Sequence, residues 1–299
     1  MAFDMSALTA YVEQNRGELL GPAVLRGTTL DVIRHQPGVK GTAAINILNL
    51  GVAFRDGSTC GFTDSSTDAF SQRDIETKMI ELDKSWCYKD LVGYWTEVQM
   101  RNRIVAGDKV LDFEEFITAE LVKKIQAEME KIAWQGNASS PAITGLLAQF
   151  TAASQTIAAS TGSTALENIW EVYQAIPEAV VDNAVIFVDS TVFRAAVMNL
   201  VGSNLYHFDP GAPVDDFVLP GTNCRVIKAN GLNSATEQTK TSLIVGCDPR
   251  NLVYGYDVED SDRAFQIFYD RMTDKVCLRA TWNAGFQIAF PSEVVIYGQ

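Results

Sequence analysis

The longest regular pattern of apolar and polar positions lies between residues 113 and 134. Apolar side chains recur there at intervals of three and four positions, at Phe113, Phe116, Ile117, Leu121, Ile125, Met129 and Ile132. This spacing predicts one amphipathic helix, which begins with the capping-box spacing of Asp112 and Glu115 and ends before Gly136. We expect Glu120 to pair with Lys124, four positions later, on the polar face. About 22 residues at ~1.5 Å each give a rod of roughly 33 Å.

A period of two predicts an extended β-hairpin in the first third of the chain. Residues 41–54 form a β-prone run, residues 55–72 are mainly Asp, Gly, Ser and Thr, and residues 74–82 form a second strand-like run. In that second run Ile75 and Met79 alternate with charged residues. An isolated hairpin buries too little surface to be stable in water, so we expect this one to lie on a neighbouring surface.

The last forty residues predict a second, longer β-hairpin. Phe265, Ile267 and Tyr269 alternate along a first strand, and a turn at residues 273–275 reverses the chain. Apolar residues then occupy every second position of residues 276–288, which is typical of a strand with one buried face. Residues 294–297 add a final apolar segment.

The middle of the chain predicts an α/β unit that begins with a helix over residues 165–176. Thr164 and Glu167 have capping-box spacing at the start of that helix. Residues 137–163, rich in Ala, Ser, Thr and Gly, predict a linker or a loosely ordered entry into this unit. Residues 1–40 mix short helical segments with glycine and proline, and we interpret them as an arm that packs on another surface.

The rest of the α/β unit is predicted from one apolar strand, one capped helix and two further strands. The strand covers residues 184–188, and the helix that follows is capped by Asp189 or Ser190 and ends at Gly202. The two further strands cover residues 224–228 and 242–245. With the two hairpins and the long helix, the pattern predicts an α+β fold.

Composition excludes several classes of protein. The 299 residues include 37 acidic and 24 basic side chains, a formal net charge of −13, which argues against a surface that neutralises phosphates. The longest apolar stretches, residues 43–48 and 184–188, are far shorter than the ~18 residues of a membrane helix. An acid near the start, Asp4, stands where a signal peptide carries a basic residue. We therefore expect a cytosolic chain without a membrane partner.

Cysteines and known catalytic motifs give no reason to expect a cofactor. The five cysteines are widely spaced without a C-x-x-C pair, which favours buried free thiols over disulfides or zinc, at Cys60, Cys87, Cys224, Cys247 and Cys277. A nucleophile elbow, a phosphate-binding glycine loop, a dinucleotide fingerprint and a zinc-protease motif are all missing from the sequence. The two histidines, His35 and His207, lie in a predicted arm and a predicted loop.

Three groups of acids could in principle do glycosidase chemistry or bind calcium through oxygen ligands. They are the pair Asp215 and Asp216, the pair Glu114 and Glu115, and the cluster Asp257, Glu259, Asp260 and Asp262. The helix dipole favours acids in a first helical turn, and solvation suffices for acids beside loops. We therefore predict no catalytic, cofactor-binding or metal-binding residue.

Aromatic residues in the segments that have no core of their own are the candidates for contacts between subunits. They are Phe3 and Tyr11 in the arm, and Phe54, Phe62 and Phe70 in the hairpin. Apolar side chains on extended segments are usually covered by a partner chain.

The order of these elements resembles the major capsid protein of tailed bacteriophages, the Hong Kong 97-type fold. Short phrases agree with the resemblance, namely Trp134-Gln135-Gly136-Asn137, Gly211-Ala212-Pro213-Val214, Leu219-Pro220, the segment with Tyr254 and Tyr256, and Ala289-Phe290-Pro291. The resemblance covers nearly the whole chain through order and short phrases, and no single motif is diagnostic.

The resemblance implies four regions. These are an N-terminal arm (1–40), an extended hairpin loop (41–84), a peripheral domain with the spine helix and the long β-hairpin (85–138 and 258–291), and an α/β axial domain (139–257 and 292–299). It also implies self-assembly into hexamers and pentamers of an icosahedral virion shell that encloses double-stranded DNA without binding it tightly. Expected partners are a portal and a separate scaffold protein, with assembly in the cytoplasm of a bacterial host.

Two departures from the family and two alternatives bear on this expectation. Some members carry a cleaved scaffolding region before the arm, whereas this sequence starts with the arm. Others crosslink a hairpin lysine to a neighbour, but residues 55–72 contain no lysine. The alternatives are a carboxylate-dependent hydrolase acting on polysaccharide and an encapsulin-like shell of the same fold that holds cargo protein.

Overall fold

The helix predicted from the apolar stripe is present in the computed structural model, where α1 spans Phe113–Gln135. The structure describes residues 24–49, 69–87, 89–90, 93, 113–137, 142–150, 155–158, 163–203, 216–233, 243–257 and 265–298. Ile125 and Met129 of the stripe are buried, and so is Trp134 near the end of α1. Gly136 ends the helix with φ at +78°, a conformation that glycine adopts without strain.

One detail of the α1 surface differs from the prediction. Glu120 pairs with Lys123 three positions later, at 3.0 Å between Oε1 and Nζ, and not with Lys124. Both spacings bring side chains together on a helix surface, so the sequence alone does not choose between them. Asp112, the predicted cap, lies outside the described residues.

The other helices and the strands follow the predicted order. Helix α2 spans Ala165–Ala175 and helix α3 spans Ser190–Gly202. The strands are β1 (Arg34–Pro37), β2 (Thr42–Asn49), β3 (Ala69–Glu76), β4 (Lys78–Cys87), β5 (Gln155–Ala158), β6 (Val185–Val188), β7 (Asp216–Val218), β8 (Arg225–Lys228), β9 (Ile244–Cys247), β10 (Leu252–Asp257), β11 (Phe265–Asp270), β12 (Lys275–Ile288) and β13 (Val295–Gly298).

Strand β12 is the centre of a five-stranded sheet, which we call the central sheet. One edge of β12 pairs antiparallel with β10 and β11, and the other edge pairs antiparallel with β4. Strand β1 lies parallel to β10. The alternation predicted for residues 276–288 is confirmed, because Val276, Leu278 and Trp282 are buried while Lys275 and Arg279 are exposed. Strand β10, which the sequence assigned to the axial region, belongs to this sheet.

The α/β unit contains a six-stranded sheet with the order β5-β13-β9-β6-β8-β7. Helices α2 and α3 cover one face of this sheet, and Val185 and Phe187 on the other face belong to the same core as α1. Thr164 and Glu167 form the predicted capping box at the start of α2. Asp189 caps α3 by accepting a hydrogen bond from Thr191 N. Since β6 is buried on both faces, its sequence is an uninterrupted apolar run.

A single core joins the two sheets through α1. Trp134 near the end of α1 is fully buried, and its ring centroid lies 5.3 Å from that of Phe187 in β6. The same core includes Ala284 and Phe286 of the central sheet. The end of α1 therefore links both sheets through side-chain packing.

Two segments that the sequence set apart are integrated into this core. Residues 24–37, which we assigned to the arm, bury Val24, Leu30 and Ile33 and add strand β1 to the central sheet. Residues 137–163, predicted as a linker or a loosely ordered entry into the α/β unit, contain the buried Leu147 and the strand β5, which pairs with β13. Nearby residues in the sequence give no sign of either pairing, because the partner strands lie more than a hundred residues away.

The extended hairpin is confirmed in its described part, but its second strand begins at Ala69, inside the segment predicted as the polar tip. Strands β2 and β3 pair antiparallel from Thr42 opposite Glu76 to Asn49 opposite Ala69. The second run, predicted as one strand over residues 74–82, is divided at Thr77, because β3 pairs in the hairpin whereas β4 pairs in the central sheet. Within the described residues, no helix is long and apolar enough to cross a membrane.

Candidate functional site

The histidine that the structure describes has a packing role. His35 lies in β1, and its Nε2 is 2.6 Å from Leu30 O. Since a carbonyl oxygen only accepts, Nε2 must donate this hydrogen bond. The ring also makes edge contacts with Tyr254 and Tyr256, with centroids 5.6 and 5.9 Å apart. These contacts explain His35 without catalysis, and His207 lies outside the described residues.

The two candidate carboxylates that lie in the described part of the chain, Asp216 and Asp257, are not brought together. Asp216 in β7 pairs with Arg225. Asp257 lies at the end of β10 in the other sheet, 3.4 Å from Lys40 Nζ. Among the described residues, no group of three or more His, Cys, Asp or Glu side chains could hold a metal ion. The remaining candidates have side chains outside the described part, namely Glu114, Glu115, Asp215, Glu259, Asp260 and Asp262.

The cysteines in the described part are free thiols, as predicted. Cys224 and Cys247 are buried, and Cys87 and Cys277 are half-buried. Burial raises the pKa of the Cys224 thiol to about 11 and raises the pKa of Cys247 further. Both buried thiols are therefore protonated and unreactive at neutral pH. Cys60 lies outside the described residues.

A buried carboxylate that the sequence analysis missed fastens residues 24–33 to α1. Glu130 is 3% exposed and accepts hydrogen bonds from Thr29 N at 3.1 Å, from Thr28 Oγ1 at 3.3 Å and from Thr29 Oγ1. Trp134 Nε1 donates to Thr29 Oγ1 at 2.8 Å, so the Thr29 proton is directed to Glu130. Burial raises the pKa of Glu130. The sequence signal for this site was only an acid one position after the stripe residue Met129.

The base of the hairpin is the second polar site of note. The Thr77 hydroxyl bridges the two connections that enter and leave the hairpin, through Val39 O and Gly41 N. A separate small cluster of apolar side chains lies beside it, consisting of Val39, Ile45, Ile47, Ile75, Val253 and Ala289. The hairpin is therefore anchored at one end by polar and apolar contacts together.

The five aromatic residues predicted to contact other subunits cannot be placed by side chain. Phe70 lies in β3 opposite Leu48, but its side chain is outside the described part, as are Phe3, Tyr11, Phe54 and Phe62. The structure adds exposed apolar side chains that the sequence analysis did not single out, namely Met79, Met198, Val201, Val218, Phe268 and Met272. Single exposed apolar residues are common on soluble proteins, so exposure alone assigns no contact to them.

The model of the phage capsid family matches residues 102–298, which include α1, the whole six-stranded sheet and strands β10, β11 and β12 of the central sheet. No curated protein matches the chain. The fold is similar to the capsid of a native GTA particle, with a TM-score of 0.60 and 14% identity over 92% of this chain and 91% of that one.

Two further solved structures share this fold at low identity. Gordonia phage Cozz has a TM-score of 0.58 and 14% identity over 91% of this chain and 86% of that chain. A virus-like particle from Pyrococcus furiosus has a TM-score of 0.54 and 10% identity over 96% and 99%. These likenesses establish an α+β capsid fold, and they do not favour the hydrolase interpretation. Because the family model covers more than half of its length, the chain belongs to the phage capsid family and is a major capsid protein, as its resemblance to tailed-phage capsid proteins indicated.

Proposed function

We propose that the chain is the repeating subunit of an icosahedral shell, arranged in hexamers and pentamers around the double-stranded DNA of a tailed phage. The observation that carries the proposal is the match of the phage capsid family to residues 102–298. Solved capsids with the same fold support self-assembly of this kind of subunit. A closed shell needs heterologous contacts that repeat around symmetric rings.

In this proposal the elements of the structure are assigned to the regions of the Hong Kong 97-type fold. The central sheet with α1 is the peripheral domain, and the six-stranded sheet with α2 and α3 is the axial domain that meets its copies at ring centres. Residues 24–37 join the peripheral domain, since β1 pairs with β10, and the arm is limited to the residues before Val24. Strand β10 likewise moves from the axial to the peripheral domain.

The hairpin overlaps a neighbouring subunit in this proposal. Within the described residues, β2 and β3 pair only with each other, and two strands alone bury too little to be stable in water. A neighbour that covers the hairpin supplies the missing contact. Phe54, Phe62 and Phe70 of the hairpin, with Phe3 and Tyr11 of the arm, are the side chains to which we assign this contact.

The remaining parts of the proposal concern chemistry and partners. The chain acts without catalysis, and the separation of the candidate carboxylates Asp216 and Asp257 supports this assignment. A net charge of −13 suits a shell that encloses DNA without binding it tightly. A portal and a separate scaffold protein are the further partners, and assembly takes place in the cytoplasm of the bacterial host.

Electron microscopy of the purified chain tests this proposal. Negatively stained samples should contain closed shells, sheets or tubes, and small discrete particles at every concentration would contradict it. Particles isolated from expressing cells should contain nuclease-protected DNA when a scaffold and a portal are supplied. Particles that enclose only protein would instead identify an encapsulin-like shell, whose fold is the same.

A further inference from the structure

Two short connections join the β2–β3 hairpin to the rest of the described chain. Residues 38–41 precede β2, and Thr77 alone separates β3 from β4. In the first connection Gly38 and Gly41 have φ values of +76° and +88°, which other residues rarely adopt. A Cβ at either glycine would meet no atom within 4 Å, so the backbone conformation and not space requires glycine there.

The Thr77 side chain fastens these two connections to each other. It is buried, and its hydroxyl accepts a hydrogen bond from Gly41 N at 3.0 Å. The one hydroxyl proton is within reach of Val39 O at 2.9 Å and Gly41 O at 3.0 Å. The Thr77 backbone N–H also donates to Gly41 O at 2.7 Å. One residue therefore holds the start of β2 and the end of β3 in a fixed relation.

The end of β3 is also held against the central sheet. Gln287 Nε2 of β12 donates to Asp74 O at 2.8 Å. A Cβ at Gly285 would clash with Glu76 O, so the two backbones approach as closely as glycine allows. The end of β3, next to Thr77, is therefore fixed to β12 independently of the Thr77 hydrogen bonds.

Small changes of angle at this base have large effects farther along the hairpin. Strands β2 and β3 have eight residues each, and eight residues at ~3.3 Å extend roughly 26 Å from the base. A rotation of about 10° at the base therefore moves the far end of the described strands by about 5 Å. A contact with another molecule made beyond that point depends on the angle at the base.

We propose that Thr77 is a positioning residue for assembly, whose hydroxyl sets the direction in which the hairpin leaves the central sheet. This proposal rests on the proposed function, in which the hairpin contacts a neighbouring subunit. Thr77 itself contacts only its own chain in this account. Its loss therefore lowers assembly while the two sheets and their helices stay folded.

The test compares Thr77→Val, which keeps the shape but lacks the hydroxyl, with Thr77→Ser, which keeps the hydroxyl. Hydrogen exchange measured by mass spectrometry should be at least tenfold faster in β2 and β3 of Thr77→Val. Exchange in β9 and α2 should equal that of the wild type, and Thr77→Ser should restore slow exchange in the hairpin. Wild-type exchange in the hairpin of Thr77→Val would overturn the proposal, and so would loss of the folded sheets.

An assembly assay on the same variants completes the test. The yield of particles in negative stain should fall more than tenfold in Thr77→Val and return in Thr77→Ser, whereas normal yield with fast hairpin exchange would overturn the positioning role. The half-buried Gln287 gives a second variant, Gln287→Ala. Like Thr77→Val, it should speed hairpin exchange and lower the particle yield, by a smaller factor. No change in either quantity would count against the proposal. If the wild type itself forms no particles, the proposed function fails, while the exchange measurement still decides whether Thr77 holds the hairpin.

Discussion

The six-stranded sheet and the β2–β3 hairpin differ in how far their strands are covered by the rest of the chain. Strands β6 and β9 of the sheet are buried along their whole length, between α2 and α3 on one face and the core of α1 on the other. In β2 only one face is covered, through Ile45 and Ile47, while Thr42, Ala44 and Asn46 on the other face are exposed. The sheet therefore carries stability, and in the proposed function the hairpin is the part that offers surface to a neighbouring subunit.

In the proposed function, this difference lets one subunit serve a closed shell. A shell subunit must stay folded before it meets its neighbours, and it must also present surface that only a neighbour can cover. Burial of apolar area contributes about 25 cal/mol per Å², so the doubly covered sheet contributes more to the free energy of unfolding than the hairpin does. Changes in the two regions should therefore have separable effects on melting and on assembly.

The largest expected loss of stability comes from the centre of the doubly covered sheet. Phe187 in β6 is fully buried and packs against Trp134 of α1. Phe187→Ala should lower the free energy of unfolding by about 3–5 kcal/mol, because it removes a ring and leaves a cavity between the two sheets. Urea melts measure this, with Ala44→Ser on the exposed face of β2 as the control. A loss below about 1 kcal/mol would mean that the sheet does not carry the stability.

The next effect depends on pH and concerns Glu130. Burial raises the pKa of this carboxyl above its ordinary value of 4.5, so the folded chain binds its proton more tightly than the unfolded chain. The stability that Glu130 contributes is therefore present below pH 4.5 and is lost as pH rises through the folded pKa. The free energy of unfolding of the wild type minus that of Glu130→Gln should be larger near pH 4.5 than at pH 8.

Paired urea melts of the two chains across that range measure this difference, since the amide introduced by Glu130→Gln does not titrate. A difference that stays constant with pH would show that Glu130 does not titrate within the measured pH range. A difference that grows with rising pH would show the opposite sign, with the carboxylate stabilised by the hydroxyls of Thr28 and Thr29 more than burial penalises it.

How much of this could be predicted from the sequence depended on how local each signal is. The stripe of α1, the alternation of β12 and the capping box at Thr164 are patterns within a few turns or strands, and the structure confirms them. The resemblance to phage capsid proteins rested on the order of such elements, and the family match confirms it. Local patterning is what single-sequence reasoning reads well.

The features that the sequence did not predict depend on residues that are distant along the chain. Strand β5 is four residues long and pairs with β13, so nothing near it indicates a strand. The division at Thr77 could not be predicted because the period of two continues through Ile75, Thr77 and Met79, although the strand leaves one sheet and enters another there. Glu130 was missed for a similar reason, since the threonines that accommodate it are about a hundred residues earlier.

The smallest expected effect comes from surface ion pairs. Arg279 on β12 forms ion pairs with Asp83 and Glu81 on β4, at 2.9 and 3.0 Å, and all three side chains are exposed. Arg279→Ala should leave the urea midpoint nearly unchanged, because solvent and salt screen such pairs. A clear destabilisation that high salt does not reduce would show that this face of the central sheet is less exposed than the structure indicates.

The division between a stable body and a hairpin used for assembly is the central claim, and deletion of residues 55–72 tests it most directly. That segment contains Phe62 and Phe70 of the predicted contacts and the first four residues of β3. Among the described strands β3 pairs only with β2, so loss of the segment should barely affect the folded body. The shortened chain should keep the melting curve of the wild type, measured by urea unfolding, and should form no shells, sheets or tubes in negative stain. Normal particles would contradict the account, and so would a chain that no longer folds.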